Sequence, residues 1–369
     1  MKEIVKRKLD QIDELYPKQR LEKSRERLTR LWKGLPPLDR LPFVASPVSI
    51  NPWDPSADKE YRLLEHLDEF ISRGMFQDDY VPAFMSPCRQ STIPSMFGAR
   101  EILTGGDYSC EKIIHSAKDA ETLPEAKLTP DVMAHQWIEM EEYFIDETEG
   151  RIPAHFVDMQ GPADVAGKLW GYEDLFMAAY SEPDVYHALL RKTADAYILF
   201  CDAQKKAIGD ELFIGTHINP FDWVPPDIGV AVSVDSMVMV SPEFFEEFYT
   251  PHLARIAERY GGVTIHACGN YTNVVSAINN IPQIKGVHTS QMVPKDLIDA
   301  GLSRDITIIG MDGDYMSSFG FIKDEKRKLV PHVYPWPNGD LARKPYLWGC
   351  PEWGYIKDYE EKVLAAAKV

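Results

Sequence analysis

A chain of 369 residues, 44% hydrophobic and 26% charged, has the make-up of an ordinary globular protein with ample length for a core. Its formal charge of −17 argues against a nucleic-acid or anionic-membrane partner, since either needs a basic face. No run approaches the roughly 18 apolar residues that cross a bilayer, and five scattered cysteines behind a charged N-terminus predict reduced thiols in a cytoplasmic protein.

In chain order, residues 1–33 read as two helical pieces. Val5, Leu9, Ile12 and Leu15 recur at helical spacing, and Leu21, Leu28 and Trp32 do so after the break at Pro17. The segment "GLPPLDRLPF" then stops the helix, because its prolines lack donors and restrict the residues before them. Beyond it, short apolar runs alternate with helical patterns. Strands are predicted in "LPFVAS", "RIPAHFVDM", "ELFIGTHI", "AVSVDSMVM", "GVTIHA", "IKGVHTS", "DITIIGM" and "KPYLWGC". Helices are predicted in "YEDLFMAAY", "PDVYHALLRKTADAYILFCDAQKKAI" and "SPEFFEEFYTPHLARIAERY", the last opened by Ser241 as N-cap and Pro242 at the first helical position. About eight strands in such alternation predict an α/β protein built as a single closed (β/α)8 barrel. A doubly wound open sheet is the alternative, and no Gly-rich dinucleotide or phosphate loop stands at a strand end to support it. Residues 86–110 and 331–355 are irregular, and each reads equally as a lid or as a surface insertion.

"TIHACGN" places His266 and Cys268 two residues apart at the end of a predicted strand, so both side chains face one way at the barrel mouth. Imidazole and thiolate together suit zinc and require a third ligand. Cys350 is the best candidate, ending the last apolar run of strand length, whereas Cys88 and Cys110 fall in the irregular early region and Cys201 inside a helical pattern as a buried thiol. Three protein ligands with one open position describe a catalytic rather than a structural zinc site.

Other polar residues fall at predicted strand ends: Asp158, Gln160, His217, Asn219, Asp235, His288 and Asp312. Together they make a polar wall at one mouth, while each alone reads as a hydrogen-bonded loop residue. His288 is a candidate partner of a ligand, fourth ligand or general acid. Asp235 and Asp312 are candidates to orient a ligand histidine or accept a proton, with His217 beside them as a further catalytic candidate. Asp158, Gln160, Asn219, Asn270, Gln291 and Trp348 are candidates for substrate contact. The aromatics Trp336, Trp348, Trp353 and Tyr355 around Cys350 cover a substrate or pack.

The segments "RLTRLWKGLPPLDRLPFV", "GPADVAGKLWGYEDLFMAAYSEPDVYHALLRKTADA", "SPEFFEEFYTPHLARI" and "IHACGN" resemble, in this order, the uroporphyrinogen decarboxylase superfamily over residues 25–355. The likeness is greatest to its zinc- and cobamide-dependent methyltransferase branch, with methylcobamide:coenzyme M methyltransferase as an example. The resemblance implies a barrel of that type over 25–369 behind a helical extension of residues 1–24. It implies His266, Cys268 and Cys350 as zinc ligands. It further implies a corrinoid (cobalamin) presented by a partner protein, and a small-molecule methyl donor or acceptor such as a thiol, a methyl ether or tetrahydrofolate. A homodimer is compatible with it. Two departures stand out. The window "VHTSQMVPKD" holds His288 and Gln291 where related enzymes often supply a carboxylate, and none comes before Asp296. The Arg-Gln-Ala-Gly-Arg element of the decarboxylases has no counterpart in "FVASPVSINPWDPSAD", and Arg89 comes much later in the chain. A metal-free decarboxylase and a non-catalytic barrel that binds a small molecule or corrinoid partner are the competing expectations.

Overall fold

Pro17 separates two helices, as the apolar period predicts: α1 spans Lys2–Leu15 and α2 spans Lys18–Trp32. A computed structural model of the protein describes residues 2–45, 58–74, 76–87, 89–104, 107–157, 159–216, 223–310, 314–333 and 353–369. The face of α1 carrying Val5, Leu9 and Ile12 is buried in the main hydrophobic core. The Arg20 guanidinium donates to the carbonyls of Leu15, Gly74 and Phe76 and lies 3.5 Å from the buried Asp78 carboxylate, tying the helical hairpin to the body of the protein.

Among the described residues eight parallel strands follow: β1 (Val44–Ala45), β2 (Ala154–His155), β3 (Phe213–Ile214), β4 (Val230–Ser233), β5 (Val263–His266), β6 (Ile284–His288), β7 (Thr307–Gly310) and β8 (Leu329–Val333). They are short and almost wholly buried, as strands covered on both faces are. The hydrogen-bonded order is β1-β8-β7-β6-β5-β4, with β2 and β3 paired separately. The Ala231 N–H bonds the Gly215 carbonyl at 2.7 Å and so joins β4 to the end of β3. Phe84 pairs in parallel with Ala154 of β2, and the Asp79 N–H bonds the Phe43 carbonyl at 2.9 Å beside β1. These links carry the wall around into the α/β barrel that the alternation predicts.

Three local readings change. The strand that pairs with β1 and β7 is Leu329–Val333, whereas the predicted strand "KPYLWGC" lies outside the described residues. Pro331 inside "LVPHV" masks this strand in the sequence, because proline removes one ladder donor. "AVSVDSMVM" is a strand only to Ser233, and Asp235–Met239 forms a 3-10 turn. The helix capped by Ser241, whose hydroxyl accepts the Phe244 N–H at 3.2 Å, passes through a π-helical turn at Phe245–Tyr249 before continuing as Thr250–Tyr260. Pro251 supplies no N–H to the ladder there, which accounts for the widened turn. Within 86–110, Glu101–Thr104 and Asp107–Cys110 pair as an antiparallel hairpin. The long helix Pro183–Ile208 matches its predicted span and buries Cys201, whose thiol burial pushes up to about 12, as expected of an inert core cysteine.

Glu141 in helix Met133–Glu147 is fully buried and, among the described residues, neither carboxyl oxygen has a hydrogen-bond partner. Burial, with the nearby Glu142, raises its pKa well above the ordinary value. A raised native pKa means that the folded state holds more protons at this group, so its contribution to stability is fully present below its ordinary value of 4.5 and is lost as pH rises through the raised native value. Glu141→Met should therefore stabilise the protein by about 1–3 kcal/mol near pH 8 and by less at pH 5. Denaturant melts at the two pH values check this; equal or lower stability of the variant at pH 8 would refute it.

Candidate metal centre

The strand register itself builds the site. β4 pairs with β5 so that Ser233 lies opposite His266. Two residues past each of these, Asp235 and Cys268 leave their strands on the same side. The Cys268 N–H donates to Asp235 Oδ1 at 2.7 Å. On the other flank a register shift occurs between Val263 and Thr264, after which Thr264 pairs with Gly286 and Ile265 with Val287. The next step brings His266 beside His288, and their Nδ1 atoms lie 2.7 Å apart.

Ligand atoms of Asp235, His266 and Cys268 all fall within 4.8 Å of one another, the first two half-buried and the third exposed. His266 Nε2 stands 3.7 Å from Cys268 Sγ. A contact of 2.7 Å between two ring nitrogens requires one of them to carry the proton. When His266 turns its Nε2 lone pair toward the cluster, its Nδ1–H is the donor and His288 Nδ1 the acceptor. The neighbour thus sets tautomer and ring plane, the arrangement usual around a metal-bound histidine. His288 is itself 2% exposed, and its carbonyl accepts the buried Tyr271 hydroxyl at 2.6 Å.

Asp235 is held from beneath. Its N–H and that of Ser236 donate to the Asp164 carboxylate at 2.5 and 2.8 Å. Burial, reinforced by the Asp235 carboxylate, pushes the Asp164 carboxyl up to about 7, against the two backbone donors that favour its charged form. Gln160 Nε2 donates to Asp235 Oδ2 at 3.3 Å. Gly269, at φ +97°, makes the turn out of the site, and its N–H bonds Gln291 Oε1, which also accepts the Ser290 hydroxyl. Asn270 Oδ1 accepts the Thr272 N–H and hydroxyl at 2.9 and 2.7 Å and so shapes its own turn.

Of the sequence candidates, the structure brings together His266, Cys268, Asp235, His288, Gln160 and Gln291, with Asn270 on the rim. Cys350, Asp158, His217, Asn219, Asp312, Trp336 and Trp348 lie outside the described residues, while Trp353 and Tyr355 sit in the first turn of helix Trp353–Ala367. Two features escape sequence reasoning. Asp235 stands at ligand distance, where the sequence suggests an accessory acid. Asp164, an acid in the first turn of helix Pro162–Trp170, reads as a helix-end charge but braces a different loop. The donor set of one imidazole, one thiolate and one carboxylate suits zinc in ligand type.

A family model described as uroporphyrinogen decarboxylase (URO-D) matches residues 92–313. The chain belongs to that family. A solved structure of a methyltransferase from Methanosarcina mazei superposes with a TM-score of 0.62 at 14% identity, covering 84% of this chain and 92% of that one. It shows the same fold. No curated protein matches the sequence. In this uroporphyrinogen decarboxylase barrel the cluster stands at the C-terminal ends of β4, β5 and β6, the end at which such barrels carry their chemistry. No helix among the described residues is long and apolar enough to cross a membrane.

Proposed function

We propose that the protein is a zinc-dependent methyltransferase that moves a methyl group between a corrinoid, presented by a partner protein, and a small-molecule donor or acceptor. The observation that carries this reading is the convergence of Asp235, His266 and Cys268 on one point at the barrel mouth, with His266 oriented by His288. The structural likeness to a methyltransferase agrees with it. His266 and Cys268 would hold the metal, with Asp235 or Cys350 completing the set. When bound there, zinc supplies Lewis acidity that keeps a thiol as its thiolate or polarises an ether or amine.

The chain's own residues then have distinct tasks. His266 and Cys268, fixed by the ladder and the Gly269 turn, present their donors in one direction. Asp235 accepts the Cys268 N–H through one oxygen and the Gln160 amide through the other, leaving its charge beside the open face. His288 Nδ1 accepts the hydrogen bond from His266 Nδ1–H, which holds that proton on Nδ1 and so keeps Nε2 available. A thiol, methyl ether or tetrahydrofolate are the acceptor and donor classes that suit such a site.

Metal analysis of the purified protein with methylcobalamin demethylation assays tests the proposal. About one equivalent of zinc and turnover with one of the three substrate classes is the expected result. Zinc below about 0.2 equivalents, with release of carbon dioxide from a porphyrinogen, would replace it by a metal-free decarboxylase. His288→Ala should weaken zinc binding by about 10- to 100-fold in chelator competition while leaving the thermal midpoint close to that of the parent. Unchanged affinity would remove His288 from the site.

A further inference from the structure

A cavity of about 580 Å³ lies at the opposite end of the barrel. Its walls come from the turn after α2, which feeds β1, and from the segment that feeds β8, so it opens where the strands begin. Gly34, at φ +62°, ends α2 in the left-handed turn that swings "LPPLDRLPF" back across the barrel base. This places Leu31, Leu35, Pro36, Leu41 and Ile322 along an apolar trough. Leu35 remains 48% exposed.

The charge around the trough is one-sided. Of fifteen lining residues six have basic side chains and none an acidic one, in a chain of net charge −17, and the one anionic group among the lining residues is the main-chain carboxylate of Val369. Arg27 is already paired with Asp39 and Asp79. Four of the other five bond neutral carbonyls: Lys323 those of Ala366 and Lys368, Lys326 that of Lys323, Arg327 that of Leu302 and Lys328 that of Asp305. Among the described residues none of Lys323, Lys326, Arg327, Lys328 and Lys368 forms an ion pair. Burial holds the Lys328 ammonium below its ordinary range, and burial with the nearby Arg304 does the same for Arg327. Glu325 and Asp305 act on Arg327 and Lys328 from outside the trough, so Lys323, Lys326 and Lys368 are the rim cations left without a direct acidic partner among the described residues.

We propose that this cavity binds a small amphipathic anion, a carboxylate with an aliphatic or aromatic body, whose apolar part fills the trough and whose head meets the lysine rim. Its volume falls in the range of small-molecule sites, and its mixture of apolar wall and convergent charge fits such a ligand. The site is independent of the metal centre, at the far end of the strands.

Calorimetric titration with decanoate, with decanol and decyltrimethylammonium as comparators, tests this on the full-length protein. Decanoate should occupy one saturable site and raise the melting temperature, since it binds the folded state alone. Decanol should bind at least about 10-fold more weakly, and the cation not at all. Lys326→Glu combined with Lys368→Glu should weaken decanoate by at least about 10-fold with the ligand-free melting temperature unchanged. Leu35→Trp, which fills the trough and leaves every charge in place, should block it. Decanol binding as tightly as decanoate, parental affinity in both variants, or loss of binding in Cys268→Ala would each overturn the proposal.

Discussion

Cys268→Ala should yield a folded protein that no longer retains zinc and has lost methyl transfer by roughly 1,000-fold. The magnitude follows from the several kcal/mol that a bound metal contributes to the reacting centre, at 1.36 kcal/mol per factor of ten. The variant should fold because the exposed thiol carries no packing load. What braces the loop is the Cys268 backbone N–H on Asp235, and the Gly269 turn, neither of which the substitution touches. Zinc content should drop from about one equivalent to under about 0.2, with the thermal midpoint nearly unchanged. A variant that keeps both zinc and turnover would remove Cys268 from the centre and with it the proposed chemistry.

Asp164→Ala should damage stability and site together. Its carboxylate satisfies two backbone donors, the N–H of the half-buried Asp235 and that of the buried Ser236. Each left unpaired costs about 1–3 kcal/mol, so the loss should be about 2–6 kcal/mol in denaturant melts. The 3-10 turn that begins at Asp235 would then lose its anchor, and zinc affinity should fall although Asp164 is not itself at ligand distance. Asp164→Asn separates the two effects. It keeps one acceptor oxygen but opposes an amide N–H to the second donor, so its stability should be intermediate. Parental stability of the alanine variant would show that the loop is braced elsewhere, and lowered stability with unchanged zinc affinity would make Asp164 purely structural.

The barrel was legible in the sequence because parallel strands covered on both faces leave apolar runs, and because "GVTIHA" and "IKGVHTS" end within one and two residues of the ends of β5 and β6. The π-helical turn and the strand at Leu329–Val333 were hidden by prolines whose effect depends on their hydrogen-bond position. The pairing of His266 with Cys268 was visible from a period of two. The contact with His288 was not, since it arises from the register between two strands and from a one-residue shift within it. Asp235 was found as a strand-end acid, but its distance from Cys268 depends on Ser233 pairing with His266. Asp164 acts on residues some seventy positions away, a separation that no local pattern encodes.

Because Ser233, His266 and His288 stand abreast on three adjoining strands, the centre is written into the backbone ladder, and the loops above it are left free to diverge. A change of reaction partner therefore need only redraw the rim, while the donors beneath keep their spacing as long as the rungs between β4, β5 and β6 hold.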